Sequence, residues 1–96
     1  MRNTTKRDDP RTAEALQQEL ERVERDLQHA LKRAEEIGER EVPERLMQTK
    51  RDIIDRYNDD IYALSQLRWE LEQALEKAEA REFAREIVKE AIGSWS

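Results

Sequence analysis

The sequence predicts an all-α protein, an antiparallel helical hairpin with a long second helix and coiled-coil-like packing. Apolar residues recur at alternating steps of three and four from Ala13 to Ile37, which is the spacing of a heptad seam. No Gly or Pro interrupts residues 44–92, so a second, longer helix is expected there. The connection, residues 38–43, is short, and short connections join antiparallel neighbours.

The composition supports long helices rather than a disordered chain. Charged residues make up 43% of the 96 positions, yet the net charge is only −5. Ala, Glu, Lys, Leu and Arg occupy 53 positions, and such a share with helical periodicity is typical of long helices. A hydrophobic share of 36% leaves little core for one chain, which favours a dimeric helical bundle.

Helix 1 is predicted over residues 10–37, within one helical domain spanning residues 9–96. Asp9 can cap the free N–H groups and Pro10 suits the first helical position. Gly38 is expected in the left-handed conformation that ends many helices. Residues 1–8 are polar and are predicted to be a flexible tail. The alternative is that their basic side chains contact an acidic partner.

Helix 2 is predicted over residues 44–92, with Pro43 at its first turn. Its first apolar stripe is broad and should face helix 1. Two polar residues fall on this stripe, Lys50 and Asp60, and both are expected to reach its edge or to pair there. The apolar members are Leu46, Met47, Ile53, Ile54, Tyr57, Ile61, Leu64, Leu67, Leu71, Ala74, Leu75 and Ala78.

The unequal helix lengths predict an uncovered end on helix 2. At 1.5 Å per residue, helix 1 is roughly 40 Å long and helix 2 roughly 73 Å. Helix 1 is therefore expected to cover helix 2 only to about Leu71, which leaves roughly twenty residues without a neighbour. The apolar residues of that end, such as Phe83 and Ile87, lie on the side opposite the first stripe.

Three arrangements could cover this second face. Two hairpins could associate, helix 2 could break near Lys77 to Arg81 so that a short third helix folds back, or another protein or a membrane could dock. Symmetric dimers are the commonest soluble oligomers, so a homodimer is preferred. The predicted interface residues are Tyr62, Trp69, Phe83, Ile87, Val88 and Trp95.

No residue set predicts catalysis, a cofactor or a metal. The chain lacks cysteine, and its single histidine, His29, falls on the solvent side of the helix 1 heptad. Asp52, Asp55 and Asp59 share one helix face and could hold a hard cation, but ion pairs with neighbouring arginines are the expected arrangement. A small all-helical dimeric enzyme is an alternative, and it would need a pocket with converging Arg or Lys side chains.

The predicted function is therefore non-enzymatic protein–protein interaction, as a self-associating adaptor, regulator or structural accessory of a larger complex. Because nucleic-acid affinity comes mainly from neutralising phosphates, the acidic balance argues against a nucleic-acid partner. The alternative is a small transcriptional or nucleic-acid-associated regulator that uses the basic tail. No apolar run could span a membrane, and mixed charges argue against a membrane-surface helix. A cytoplasmic location is expected.

Overall fold

Two antiparallel helices form the part of the chain that the computed structural model describes, which is the backbone of residues 10–95 and the side chains as far as Gly93. Helix α1 spans Ala13–Glu39, a 3₁₀ turn spans Glu44–Leu46, and α2 spans Met47–Trp95. The Cα atoms extend over 78 × 32 × 12 Å with a radius of gyration of 21.1 Å, against about 12–13 Å for a compact domain of this length. The predicted hairpin with a long second helix is confirmed.

Helix α1 begins three residues later than predicted, at Ala13 instead of Pro10. Thr12 is the N-cap, with an extended backbone at φ −71° and ψ 161°. The Ala15 amide donates a hydrogen bond of 3.1 Å to the Thr12 hydroxyl oxygen, which satisfies one of the free amides of the first turn. The predicted cap, Asp9, and the predicted tail, residues 1–8, lie outside the described residues.

The end of α1 also differs from the prediction. The helix runs through Gly38 to Glu39, and Gly38 does not have the positive φ expected of it. Arg40 leaves the helix instead with extended angles, φ −75° and ψ 127°, and its amide donates to the Ile37 carbonyl over 3.2 Å. Because the chain leaves α1 through the extended backbone of Arg40, Gly38 does not have to adopt the left-handed conformation.

Helix α2 is continuous. The 3₁₀ turn follows Pro43 and closes with a 2.8 Å hydrogen bond from the Leu46 amide to the Pro43 carbonyl, so the helical start near Glu44 is as predicted. The helix then runs for 49 residues to Trp95. The alternative of a break near Lys77 to Arg81 is wrong, since this stretch contains only good helix formers and the helix crosses it uninterrupted.

The core is a single row of contacts between the helices. The predicted seam of α1 faces α2, and its central members are almost completely buried. The buried apolar side chains are Leu16, Leu20, Val23, Leu27 and Ala30 on α1 and Leu71 and Ala78 on α2. Because two helices enclose a core on only two sides, most of the α2 stripe stays half-buried.

The structure corrects the predicted end of helix coverage, because α1 reaches past Leu71. Ala78 is 0% exposed and belongs to one cluster with Leu16. Four residues further on, the Glu82 carboxylate accepts a 2.8 Å hydrogen bond from the Ala13 amide at the first turn of α1. Helix α1 therefore covers α2 as far as Glu82.

The physical reason for this longer coverage of α2 lies at the hairpin turn. The Lys50 ammonium donates a 2.7 Å hydrogen bond to the Arg40 carbonyl, so the two helices come side by side near residue 50 and not at residue 44. The connection and the first turn of α2 thus occupy residues that the prediction counted as paired helix. The pairing of Lys50 also confirms that this polar member of the stripe reaches its edge.

Candidate partner-binding face

The side of α2 that faces away from α1 carries the exposed aromatic side chains of the described residues, Tyr62, Trp69 and Phe83. Five of the six predicted interface residues are exposed in the single chain, at 67% for Tyr62, 59% for Trp69, 69% for Phe83, 47% for Ile87 and 56% for Val88. The side chain of the sixth, Trp95, lies outside the described residues. Their assignment to an interface stays a prediction, because exposure alone identifies no partner.

Helical geometry places Tyr62, Trp69, Phe83 and Ile87 away from the core. Each residue turns the helix by about 100°, so Trp69 lies roughly 160° around α2 from the buried Leu71. Tyr62 is seven residues before Trp69 and therefore lies on nearly the same line. Because α2 is one continuous helix from Met47 to Trp95, this line runs on towards its C-terminal end.

The polarity of α2 reverses where α1 ends. Up to Ala78, the apolar side of α2 is the side that contacts α1. Beyond Glu82, that side carries Arg85 and Lys89, and Phe83 and Ile87 lie on the opposite side. Val88 and Ile92 lie roughly 100° and 60° around the helix from the Leu71 line. The uncovered end is residues 83–95, about 20 Å of helix. It is shorter than predicted, but its change of face is as expected from the sequence.

A second heptad spacing follows the exposed side of α2. From Tyr62 to Ile87 the steps are four, three, four, three, four, three and four, and every member is exposed. Acidic residues, Asp59 and Glu90, occupy the next positions at the two ends. We call this set the far-side row. Its members are Tyr62, Gln66, Trp69, Gln73, Glu76, Ala80, Phe83 and Ile87.

Some exposed apolar residues were not among those predicted for the interface. Ile92 is 65% exposed and lies one turn beyond Val88, which is the spacing that could have identified it. Four more residues are exposed by about two fifths at the edge of the groove between the helices. These are Leu31, Leu46, Ile53 and Leu67, and partial exposure is ordinary at the edge of a two-helix core.

A small groove at the hairpin turn is lined by Arg and Lys side chains, which the alternative of a small enzyme would require. Arg33, Arg40 and Lys50 lie around a wall that includes Ile37 and Val42. The Lys50 ammonium is already bonded to a backbone carbonyl. The hydrogen bond between Arg33 and the Tyr57 hydroxyl raises the pKa of the Arg33 guanidinium. Both cations thus already contact groups across the hairpin, and the Glu36 carboxylate lies 3.7 Å from the Arg33 guanidinium beside the groove.

His29 is exposed on α1, as expected, and lines a shallow depression together with Tyr57 and Asp60. Asp60 is itself exposed at the edge of the α2 stripe, where the sequence places it. Asp52 accepts a 2.9 Å hydrogen bond from the Gln48 amide. Among the described residues, no three His, Asp or Glu side chains come together as metal ligands would.

Within residues 10–95, neither helix offers a stretch apolar and long enough to cross a bilayer. Comparisons of the chain with protein-family models, curated proteins and solved structures find no match.

Proposed function

We propose that this chain is a non-enzymatic helical module for protein–protein interaction that self-associates through the far side of α2. It would serve as an adaptor, a regulator or a structural accessory of a larger complex. The observation that carries the proposal is the exposure of Tyr62, Trp69 and Phe83, each by about two thirds, on the one helix side that α1 does not cover.

The energetics of these side chains support an interaction surface. Burying a large apolar side chain stabilises an assembly by about 1.5–3 kcal/mol, and buried Trp and Tyr often contribute most of the free energy of binding. Ala80, Phe83 and Ile87 are consecutive exposed apolar members of the row, and exposed apolar patches often mark interaction sites. A partner that buries Phe83 and Ile87 therefore gains a free energy of burial that the single hairpin does not have.

The charges beside this surface support a protein partner over a lipid surface. Four glutamates alternate with three cations between residues 79 and 90. Helices that lie on membranes usually carry an excess of Lys and Arg, whereas a mixture of both signs is typical of the polar rim of a protein interface.

The test is the molar mass in solution of a double variant, Phe83→Asp with Ile87→Asp, measured by sedimentation over a dilution series. We expect the parent chain to sediment as a dimer. The variant should sediment as a monomer and keep its helical circular dichroism, because both changes lie on the uncovered end beyond Glu82 and outside the α1–α2 core.

A matched control is Arg85→Gln with Lys89→Gln. It changes the net charge by the same −2 at the same four-residue spacing, but on the opposite side of the same helix. This control should remain a dimer. A parent chain that is monomeric at every concentration would refute self-association, and so would a Phe83/Ile87 variant that sediments like the parent.

A further inference from the structure

We infer that a second copy of this chain covers the far-side row in antiparallel orientation, with the two-fold axis passing between residues 74 and 75. The inference rests on the proposed self-association and specifies its geometry. The far-side row is a set of exposed heptad positions, three of them polar, that α1 does not cover. An axis midway between its limits, Tyr62 and Ile87, gives two antiparallel rows their longest overlap, and the side chains opposed in that register favour it.

The antiparallel register opposes large side chains with small or flexible ones. Trp69 of one copy lies opposite Ala80 of the other, and Phe83 lies opposite the flexible Gln66 of the other. Alternating large and small residues across a seam is how helix interfaces fill their space. At the centre, Gln73 lies opposite Glu76 of the second copy, where the amide can donate a hydrogen bond to the carboxylate.

A parallel pair would oppose each residue with itself. Glu76 would then face Glu76 of the second copy at the middle of the seam, and two like charges taken out of water repel each other strongly. Trp69 would likewise face Trp69, with no small residue to accommodate the two indoles. The seam itself therefore favours the antiparallel pair.

The residues that flank the seam contribute less. In the antiparallel pair, Glu70 lies beside Lys77 of the other copy, which is attractive, and Glu72 lies beside Glu79, which is repulsive. In the parallel pair, Glu72 lies beside Lys77. Exposed pairs of this kind are each worth about 0–1 kcal/mol, so they do not outweigh opposed glutamates within the seam.

The available area suits a stable dimer. Aromatic side chains bury about 150–250 Å² each, so three rings exposed by 59–69% supply roughly 400 Å² per chain. A standard interface takes about 800 Å² from each partner. The rings thus provide about half of that area, and the other five members of the row and their neighbours extend the contact.

The antiparallel arrangement also covers the uncovered end of α2. Residues 83–95 of one copy would lie along residues 54–66 of the other, where Tyr62 is exposed. Each free end would then pack on the hairpin of its neighbour. In a parallel pair, the two free ends could contact only each other.

Chemical crosslinking of single cysteines tests the orientation, because the natural chain contains no cysteine. Ala63→Cys and Ala84→Cys replace small, exposed residues that flank the far-side row. In the antiparallel dimer, residue 63 of one copy lies beside residue 84 of the other. The two positions are 21 residues apart along α2, about 31 Å.

With a short bis-maleimide, we expect covalent dimers only when the two single variants are mixed. Each variant alone should stay monomeric on a denaturing gel, since like positions of the two copies are about 35 Å apart for residue 63 and about 29 Å apart for residue 84. Crosslinking of each variant with itself would establish a parallel pair and overturn this inference while leaving self-association intact. A dimer by sedimentation that crosslinks in neither test would place the interface elsewhere, and a monomer by sedimentation would refute self-association itself.

Discussion

Leu16 illustrates how much of the stability of this hairpin rests on single side chains. It is 0% exposed and contacts the cluster formed with Leu20, Val23, Leu71 and Ala78. In a core only one row wide, few side chains are near enough to move into a gap. The loss of one large member should therefore leave a cavity.

We expect Leu16→Ala to lower the free energy of unfolding by about 2–5 kcal/mol, the range for buried leucines. The matched control is Leu31→Ala, on the same helix but 43% exposed, which should lose much less. Urea denaturation at one protein concentration, followed by circular dichroism, measures both. Equal losses for the two variants would contradict the assignment of Leu16 to the core.

At the scale of the elements, α2 has two segments along one continuous helix, one covered by α1 and one uncovered. As far as Glu82, α2 is the second arm of the hairpin, because the Glu82 carboxylate accepts a hydrogen bond from the Ala13 amide. From Phe83 onwards α1 does not cover it. The two segments differ in whether α1 covers them, and nothing in the backbone separates them, because α2 is unbroken to Trp95.

Two truncations separate these segments. A chain ending at Glu82 should be monomeric and should unfold within a few degrees of the monomeric Phe83/Ile87 double variant. A chain ending at Lys77 also loses Ala78 and the bond to Ala13. If that costs about 1–2 kcal/mol, its Tm should fall by a further 4–16 °C.

Thermal denaturation followed by circular dichroism compares the two truncated chains. If both melt at the same temperature, α1 does not depend on residues 78–82, and the coverage seen in the structure would be contradicted.

At the scale of the whole molecule, the hairpin is a thin rod 78 Å long and only 12 Å thick in its smallest Cα dimension. Such a shape exposes much surface for its volume, so a second copy adds burial without deforming the hairpin. The orientation of the second copy determines the length of the assembly, because the hairpin turn lies far from the proposed two-fold axis.

We expect the dimer to have a maximum Cα dimension of about 95 Å, because the antiparallel register places the two turns at opposite ends, about 63 residue rises apart. A parallel dimer would keep the 78 Å of one chain. Small-angle X-ray scattering, with the monomeric double variant as control, distinguishes the two lengths. A dimer no longer than that control would contradict the antiparallel arrangement.

The sequence alone determined the helices, their order and the two faces of α2. This is because periodicity is a local property: the three-and-four spacing from Ala13 to Ile37 identifies the buried side of α1, and the position of Trp69 relative to Leu71 identifies the exposed side of α2. The same reasoning identified Phe83 and Ile87 as uncovered residues, and both are exposed.

Only the tertiary structure decided where α1 begins and ends and how the two helices are aligned. Thr12 replaced the predicted cap through a hydrogen bond that depends on local geometry, and Arg40 replaced Gly38 at the end of α1. The alignment depends on where the chain turns, which the Lys50 contact with Arg40 marks. A seam that repeats every seven residues fits a partner equally well one heptad away, so its spacing gives the side of contact but not the register.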